Sequence, residues 1–126
     1  MKPRPIPTEH TEQAKLVGRA RSFWPGVIVF AVPNGGLRNK REAVRLKAEG
    51  VLAGVPDLMF AEPRGRYHGL YVEMKRQKRS RVSDEQAEMH RRLRRRGYKV
   101  LIGWGVNDVW DDVERYLGLD RAAVLR

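Results

Sequence analysis

Three side chains set the first chemical question. Asp57 follows Gly54-Val55-Pro56, and Glu73-Met74-Lys75 ends a second short apolar run. Leu58 to Ala61 and Leu70 to Lys75 are rich in strand formers, and Glu62-Pro63-Arg64-Gly65 between them carries turn chemistry, so the segment predicts two adjacent antiparallel strands. Side chains alternate faces along a strand. Tyr71, Glu73 and Lys75 therefore share one face and Leu70, Val72 and Met74 the other, with Asp57 opening the partner strand beside them. Two backbone-held carboxylates with an amine one strand repeat further on suit a hard divalent cation, which takes oxygen ligands at about 2.0–2.1 Å and combines one or two carboxylates with phosphate oxygens. The lysine would orient or deprotonate an attacking water, or neutralise developing charge. Without an ion, Asp57 caps a turn and Glu73 pairs with Lys75 on a solvated face. Glu-x-Lys alone is common; joined to a preceding Gly-x-Pro-Asp it is far more specific.

The bulk composition narrows the partner. The chain has 126 residues and a formal net charge of +11, with a sequence pI near 10.7. A balance this basic points to a polyanion and says little about fold. Nucleic acid is the leading candidate. An anionic membrane surface is the alternative, but no segment approaches the ~20 apolar residues of a span, and no basic helix has a large aromatic-rich apolar face. Cysteine is absent, which excludes a disulfide framework, a thiolate metal site and a thiol nucleophile. Residues 1–7 form a basic proline-rich arm without the apolar core of a signal peptide, so an intracellular, cytoplasmic protein is expected.

The elements that must position the three side chains follow from periodicity and punctuation. Thr8 to Phe23 predicts a helix capped by Thr8, with Leu16, Val17, Ala20 and Phe23 at helical spacing. Glu12 lies one turn before Leu16 on that stripe. An inward carboxylate is costly unless it meets a cation, a donor or a metal-bound water; the alternative is a first-turn Glu on the helix dipole. Val27 to Val32 is continuously apolar and predicts a central strand buried on both faces. Pro33-Asn34-Gly35-Gly36 ends it, either as a plain turn or, with Arg38, Lys40 and Arg41 following, as a loop that a phosphate can approach. Asn39 to Glu49 reads as a second helix with a capping box at Asn39 and Glu42 and a stop at Gly50.

Ser83-Asp84-Glu85-Gln86 is a capping box that opens a third helix, with Gln86, Met89, His90 and Leu93 on one face. Arg91, Arg92, Arg94, Arg95 and Arg96 cover much of the rest, and the array reads as one without opposite charges. Like charges on adjacent turns repel, so phosphate binding is favoured over a solvated face. His90 reads as an ordinary interfacial histidine: no second His or Cys stands at a metal-binding offset, which argues against zinc. Gly97 ends this helix, Tyr98 to Trp104 predicts a fourth strand, and Asn107 caps a last helix whose inward residues are Val109, Trp110, Val113, Tyr116 and Leu117. Trp104 and Trp110 read as core.

Pro56-Asp57, Glu73-Met74-Lys75, Ser83-Asp84-Glu85-Gln86, Pro33-Asn34-Gly35-Gly36 and Glu12 together resemble the VRR-Nuc domains of the PD-(D/E)xK nuclease superfamily, over a span from Glu12 to Leu117. The resemblance implies that Asp57, Glu73 and the Met74 carbonyl hold Mg2+ or Mn2+, that Lys75 handles the attacking water, that Gln86 hydrogen-bonds the catalytic carboxylate or a nucleotide, and that Glu12 reaches the metal site from the first helix. Expected DNA contacts are Asn34, Gly35, Gly36, Arg38, Lys40, Arg76, Lys78, Arg79, Arg81, Arg91, Arg92 and Arg95.

The element order predicts an α/β domain, a mixed β-sheet flanked by α-helices, with the restriction-endonuclease-like core that the resemblance implies. It would occupy residues 8–118 between the arm and a tail at 119–126. The expected function is a metal-dependent DNA endonuclease, a phosphodiester hydrolase with no small-molecule cofactor. Similarity to stand-alone VRR-Nuc proteins of phage and bacterial type implies a homodimer acting on branched DNA such as four-way (Holliday) junctions. Closed two-fold symmetry is the commonest assembly, and Leu119, Ala122, Ala123, Val124 and Leu125 would either join such a contact or fold back on their own domain. A flap or structure-indifferent endonuclease, a catalytically silent DNA-binding module and a basic adaptor of a replication complex are the alternatives.

Overall fold

The computed structural model describes residues 5–33, 39–76 and 80–120. Along the chain come α1 (Glu9–Phe23), β1 (Val29–Ala31), α2 (Lys40–Ala48), β2 (Leu58–Phe60), β3 (Leu70–Lys75), α3 (Asp84–Arg95), β4 (Lys99–Trp104) and α4 (Val106–Leu117). This is the expected order. The strands form one sheet in the order β1-β2-β3-β4. Its first two pairings are antiparallel and β3 with β4 is parallel, so α3 is the crossover that a parallel pair requires. A mixed sheet flanked by helices is thus the observed architecture.

The alternation along β3 divides the molecule into two layers. Leu70, Val72 and Met74 are fully buried, and with Leu58 and Phe60 of β2 they join Leu16 and Ala20 of α1 and Val109, Val113, Tyr116 and Leu117 of α4 in one apolar core. Gly103 of β4 lets α4 press against the sheet, since a Cβ there would stand 2.8 Å from the Cβ of Val109. Glu73 and Lys75 take the opposite face, which α3 covers.

Three details depart from the sequence reading. The apolar run at residues 27–32 is not a central strand: only Val29–Ala31 pairs, at the sheet edge, and Phe30 is 49% exposed. An apolar run does not reveal strand order, and a short edge strand limits unwanted pairing. Trp104 is 37% exposed and is not core, its indole N–H donating to the Ser80 carbonyl at 2.9 Å. Trp110 does pack against the core, beside Trp24 and Phe23. Finally, Asn107 does not cap α4. The N-cap is Gly105, at φ 92° and without a side-chain cap, and the Val106 N–H instead donates to Glu12 Oε2 at 2.6 Å. A carboxylate at a helix N-terminus satisfies an orphan donor and complements the dipole.

Glu12 is 2% exposed, so removing its acceptor strands a buried donor. Glu12→Ala should lower the unfolding free energy by about 1–3 kcal/mol, and Glu12→Gln, which keeps an acceptor oxygen, should recover most of it. Thermal melts check this; an Ala variant that melts with the wild type would contradict the capping role.

Candidate active site

The site is built where the start of β2 meets the end of β3. The Val32 N–H donates to the Asp57 carbonyl at 2.8 Å, and the Met74 N–H donates to Asp57 Oδ2 at the same distance. Backbone on both sides therefore fixes the Asp57 carboxylate beside Glu73. Gly54, first residue of the Gly-x-Pro-Asp motif, has φ +86°, and a Cβ there would lie 2.8 Å from the Glu85 carbonyl oxygen. Only glycine lets this loop settle on the first turn of α3, which brings Asp57 and α3 to the same end of the sheet.

Glu73 is 2% exposed and hydrogen-bonds Asp57. Burial, the Glu73 hydrogen bond and the Glu73 charge push Asp57 from 3.8 up to about 7, against the Met74 N–H and the Lys75 charge. Glu73 is also raised, first by burial, while its hydrogen bond to Asp57 and the Lys75 charge pull it down. Both are raised and the two titrate as a pair, because neighbouring carboxylates out of water resist joint ionisation. Glu73 Oε1 is nevertheless buried with no hydrogen-bond partner. Two crowded carboxylates fit a divalent cation, which relieves their repulsion. Among the described residues no three His, Cys, Asp or Glu side chains form a ready metal cage. Two carboxylates plus the Met74 carbonyl suit an ion that keeps several waters, as Mg2+ does.

Lys75 and Gln86 join the site from facing elements. Lys75 Nζ donates to Gln86 Oε1 at 2.8 Å. The same oxygen accepts from the Ser83 N–H at 3.0 Å, and the Gln86 N–H donates to Ser83 Oγ at 3.1 Å. The capping box expected from Ser83 and Gln86 is present, and one amide oxygen both ends a helix and holds the lysine. His90, one turn on, is 1% exposed, with Nε2 3.6 Å from Glu73 Oε1. Burial first, then the charges of Arg94 and Lys75, lower His90 to about 4, so the contact is that of a neutral imidazole and not an ion pair.

Of the other expected residues, Glu12 accepts from the Val106 N–H at the start of α4. Glu9, one turn earlier on α1 and exposed, also acts on the site, its charge raising Glu73. Glu9 lies two turns before Leu16 on the same stripe, so helical spacing could have singled it out. Lys40, Arg76, Arg81, Arg91, Arg92 and Arg95 are exposed. The arginine array does contain an opposite charge: Glu88 pairs with Arg91 at 2.7 Å, an i,i+3 contact visible in the sequence. Arg94 donates to the Val100 carbonyl at 3.1 Å. Asn34, Gly35, Gly36, Arg38, Lys78 and Arg79 lie outside the described residues. A cavity of about 800 Å³ between α2 and α3 is lined by Leu46, Val51, Met89 and Arg92 among others and contains none of Asp57, Glu73, Lys75 and Gln86.

The raised Asp57 has a direct consequence. Between pH 3.8 and about 7 the folded chain binds more protons at this site than the unfolded chain, so stability falls as pH rises through that window. In metal-free protein Asp57→Asn should therefore raise Tm at pH 8 by roughly 4 °C, the effect of about 1 kcal/mol in a domain of this size, and have little effect at pH 4. Calorimetric melts in chelator check it; an equal shift at both pH values would contradict the coupled pair.

Comparison with known proteins agrees with this geometry. The family model described as VRR-NUC domain matches residues 13–104, a span holding β1 to β4 and α3 but neither Glu9 nor Glu12. A solved structure titled "VRR_NUC domain protein" superposes with a TM-score of 0.78 at 26% identity, covering 92% of this chain and 93% of that one. No curated protein sequence matches. With Asp57, Glu73 and Lys75 gathered where β2 begins and β3 ends and the model spanning most of the chain, this protein belongs to the VRR-NUC domain family, a nuclease-type family that processes DNA.

Proposed function

We propose that the chain is a Mg2+- or Mn2+-dependent DNA endonuclease that hydrolyses phosphodiester bonds. The observation that carries this reading is the Asp57–Glu73 pair: the Met74 N–H fixes Asp57 beside the buried Glu73, and Gln86 holds Lys75 Nζ on the same face. A divalent ion held by Asp57, Glu73 and the Met74 carbonyl would supply Lewis-acid stabilisation of phosphate charge and an acidified water. Lys75 has three N–H donors, and one is committed to Gln86, so its head is aimed while other donors serve a water or a phosphate oxygen. Gln86 fixes the lysine without adding charge. Arg76, Arg81, Arg92 and Arg95, all exposed, grip the DNA backbone without reading sequence.

Asp57→Asn, Glu73→Gln and Lys75→Ala should each abolish or strongly reduce metal-dependent cleavage, with Lys75→Ala lowering kcat by about 10²–10⁴-fold, while DNA affinity persists. A cleavage assay with Mg2+ and Mn2+ beside a binding titration checks this. Near wild-type cleavage by Glu73→Gln would reject the assignment, and no cleavage by the wild type with intact binding would leave a silent DNA-binding module.

The finer substrate reading is a homodimer selective for four-way junctions. Its support is indirect: one candidate site among the described residues, and a junction with two-fold character to match a two-fold dimer. Leu119 is exposed, although Gly65 N–H donates to the Asp120 carbonyl at 3.0 Å and keeps this segment on its own domain. The expected outcome is a light-scattering mass of two chains and faster cleavage of four-way than of linear DNA. A one-chain mass with equal cleavage of both would leave a structure-indifferent enzyme.

A further inference from the structure

His90 is a buried titratable group at the site that the reaction above leaves without a role. It lies on the inward face of α3, one turn after Gln86, and 1% of it is exposed. Its Nε2 and Glu73 Oε1 are 3.6 Å apart, and both atoms are buried without a hydrogen-bond partner. Unpaired buried polar atoms are costly and rare in folded proteins; here two of them face each other. The separation exceeds the roughly 2.7–3.2 Å of an N–H···O bond, so a shift of a few tenths of an ångström separates the observed contact from a made one.

Donor and acceptor arithmetic gives the pairing. An ionised carboxylate accepts only, and a neutral imidazole carries one N–H and one bare nitrogen, so the two satisfy each other only with the proton on Nε2. A neutral donor also suits the place. Lysine or arginine would orient Glu73 equally well but would cancel charge that a cation needs, whereas a neutral N–H fixes the oxygen and leaves its charge in place.

We propose that His90 is a positioning residue for Glu73, its Nε2–H taking Oε1 when the Asp57–Glu73 hydrogen bond opens, so that the carboxylate presents its remaining oxygen to a divalent ion in one orientation. This rests on the metal-site reading above and extends it to a neutral group on α3. The same helix would then hold both working side chains of β3, Lys75 through Gln86 and Glu73 through His90.

The test uses the whole chain without DNA and Mn2+ alone as the probe. By titration calorimetry His90→Phe, which fills the volume without a donor, should bind Mn2+ about 10–100-fold more weakly than wild type. His90→Gln, which restores an N–H, should recover most of the loss, and melts of the metal-free variants should show both folded. A folded His90→Phe that binds as wild type overturns the positioning role and leaves the metal site standing; a wild type that binds no Mn2+ overturns both. Should the variants fail to fold, nitrogen NMR of the Mg2+-loaded wild type decides: a protonated, exchange-protected His90 Nε2 is expected, and a bare Nε2 overturns the proposal. Nitrogen hyperfine coupling between His90 and bound Mn2+ would overturn it too, by making the histidine a ligand.

Discussion

The hydrogen bond from the Met74 N–H to Asp57 Oδ2, 2.8 Å long, is the constraint on which the site depends. It ties the loop before β2 to the end of β3, and so sets the half-buried Asp57 carboxylate against the buried one of Glu73. Everything nearby is arranged around that crowding. Pro56 and Gly54 shape the loop, the antiparallel pairing of β2 with β3 fixes the register, and the parallel partner β4 holds the far side of β3 in place. Burial first, then the hydrogen bond and the charge of Glu73, raise Asp57 to about 7. A fold keeps such an arrangement at a cost to stability unless a cation or a proton relieves it, and strongly perturbed groups of this kind concentrate at working sites.

α3 is the second half of the design. Its first turn is capped by Ser83 and Gln86, and the Gln86 oxygen that completes the cap is also the acceptor for Lys75. Helix formation and lysine placement are therefore one event: a substitution that frays the cap also releases the amine. The apolar core on the opposite face of the sheet plays no chemical part, but it fixes the height of β3. Leu70, Val72 and Met74 locked against α1 and α4 leave Glu73 and Lys75 no freedom to exchange faces, because a one-residue slip would turn the whole set over.

Much of this was legible in the sequence, for identifiable reasons. The alternation from Leu70 to Lys75, the capping box at Ser83 and the glycine stops are local signals, and local physics decided them. Contacts that join distant residues left no such trace. Glu12 caps α4 across 94 positions, and nothing near Val106 announces that its own turn carries no cap. The run at residues 27–32 looks central because apolarity reports burial in general and not the order of strands. Trp104 looks like core because tryptophan usually is, yet the register with Lys75 puts it on the chemical face. Glu88 was legible and passed over: its i,i+3 spacing to Arg91 is as local as a cap. His90 shows the limit from the other side, since its residue type was plain and its partner, Glu73, became known only once α3 was laid on β3.

The central claim is that Asp57 and Glu73 form one cation site. A crystal structure of the protein soaked in Mn2+, with anomalous diffraction recorded to locate the metal, tests it most directly. The account predicts an anomalous peak shared by Asp57 and Glu73, with the hydrogen bond between the two carboxyl groups broken and Glu12 still on Val106. A peak elsewhere in the fold, or an intact Asp57–Glu73 hydrogen bond at saturating metal, would contradict it.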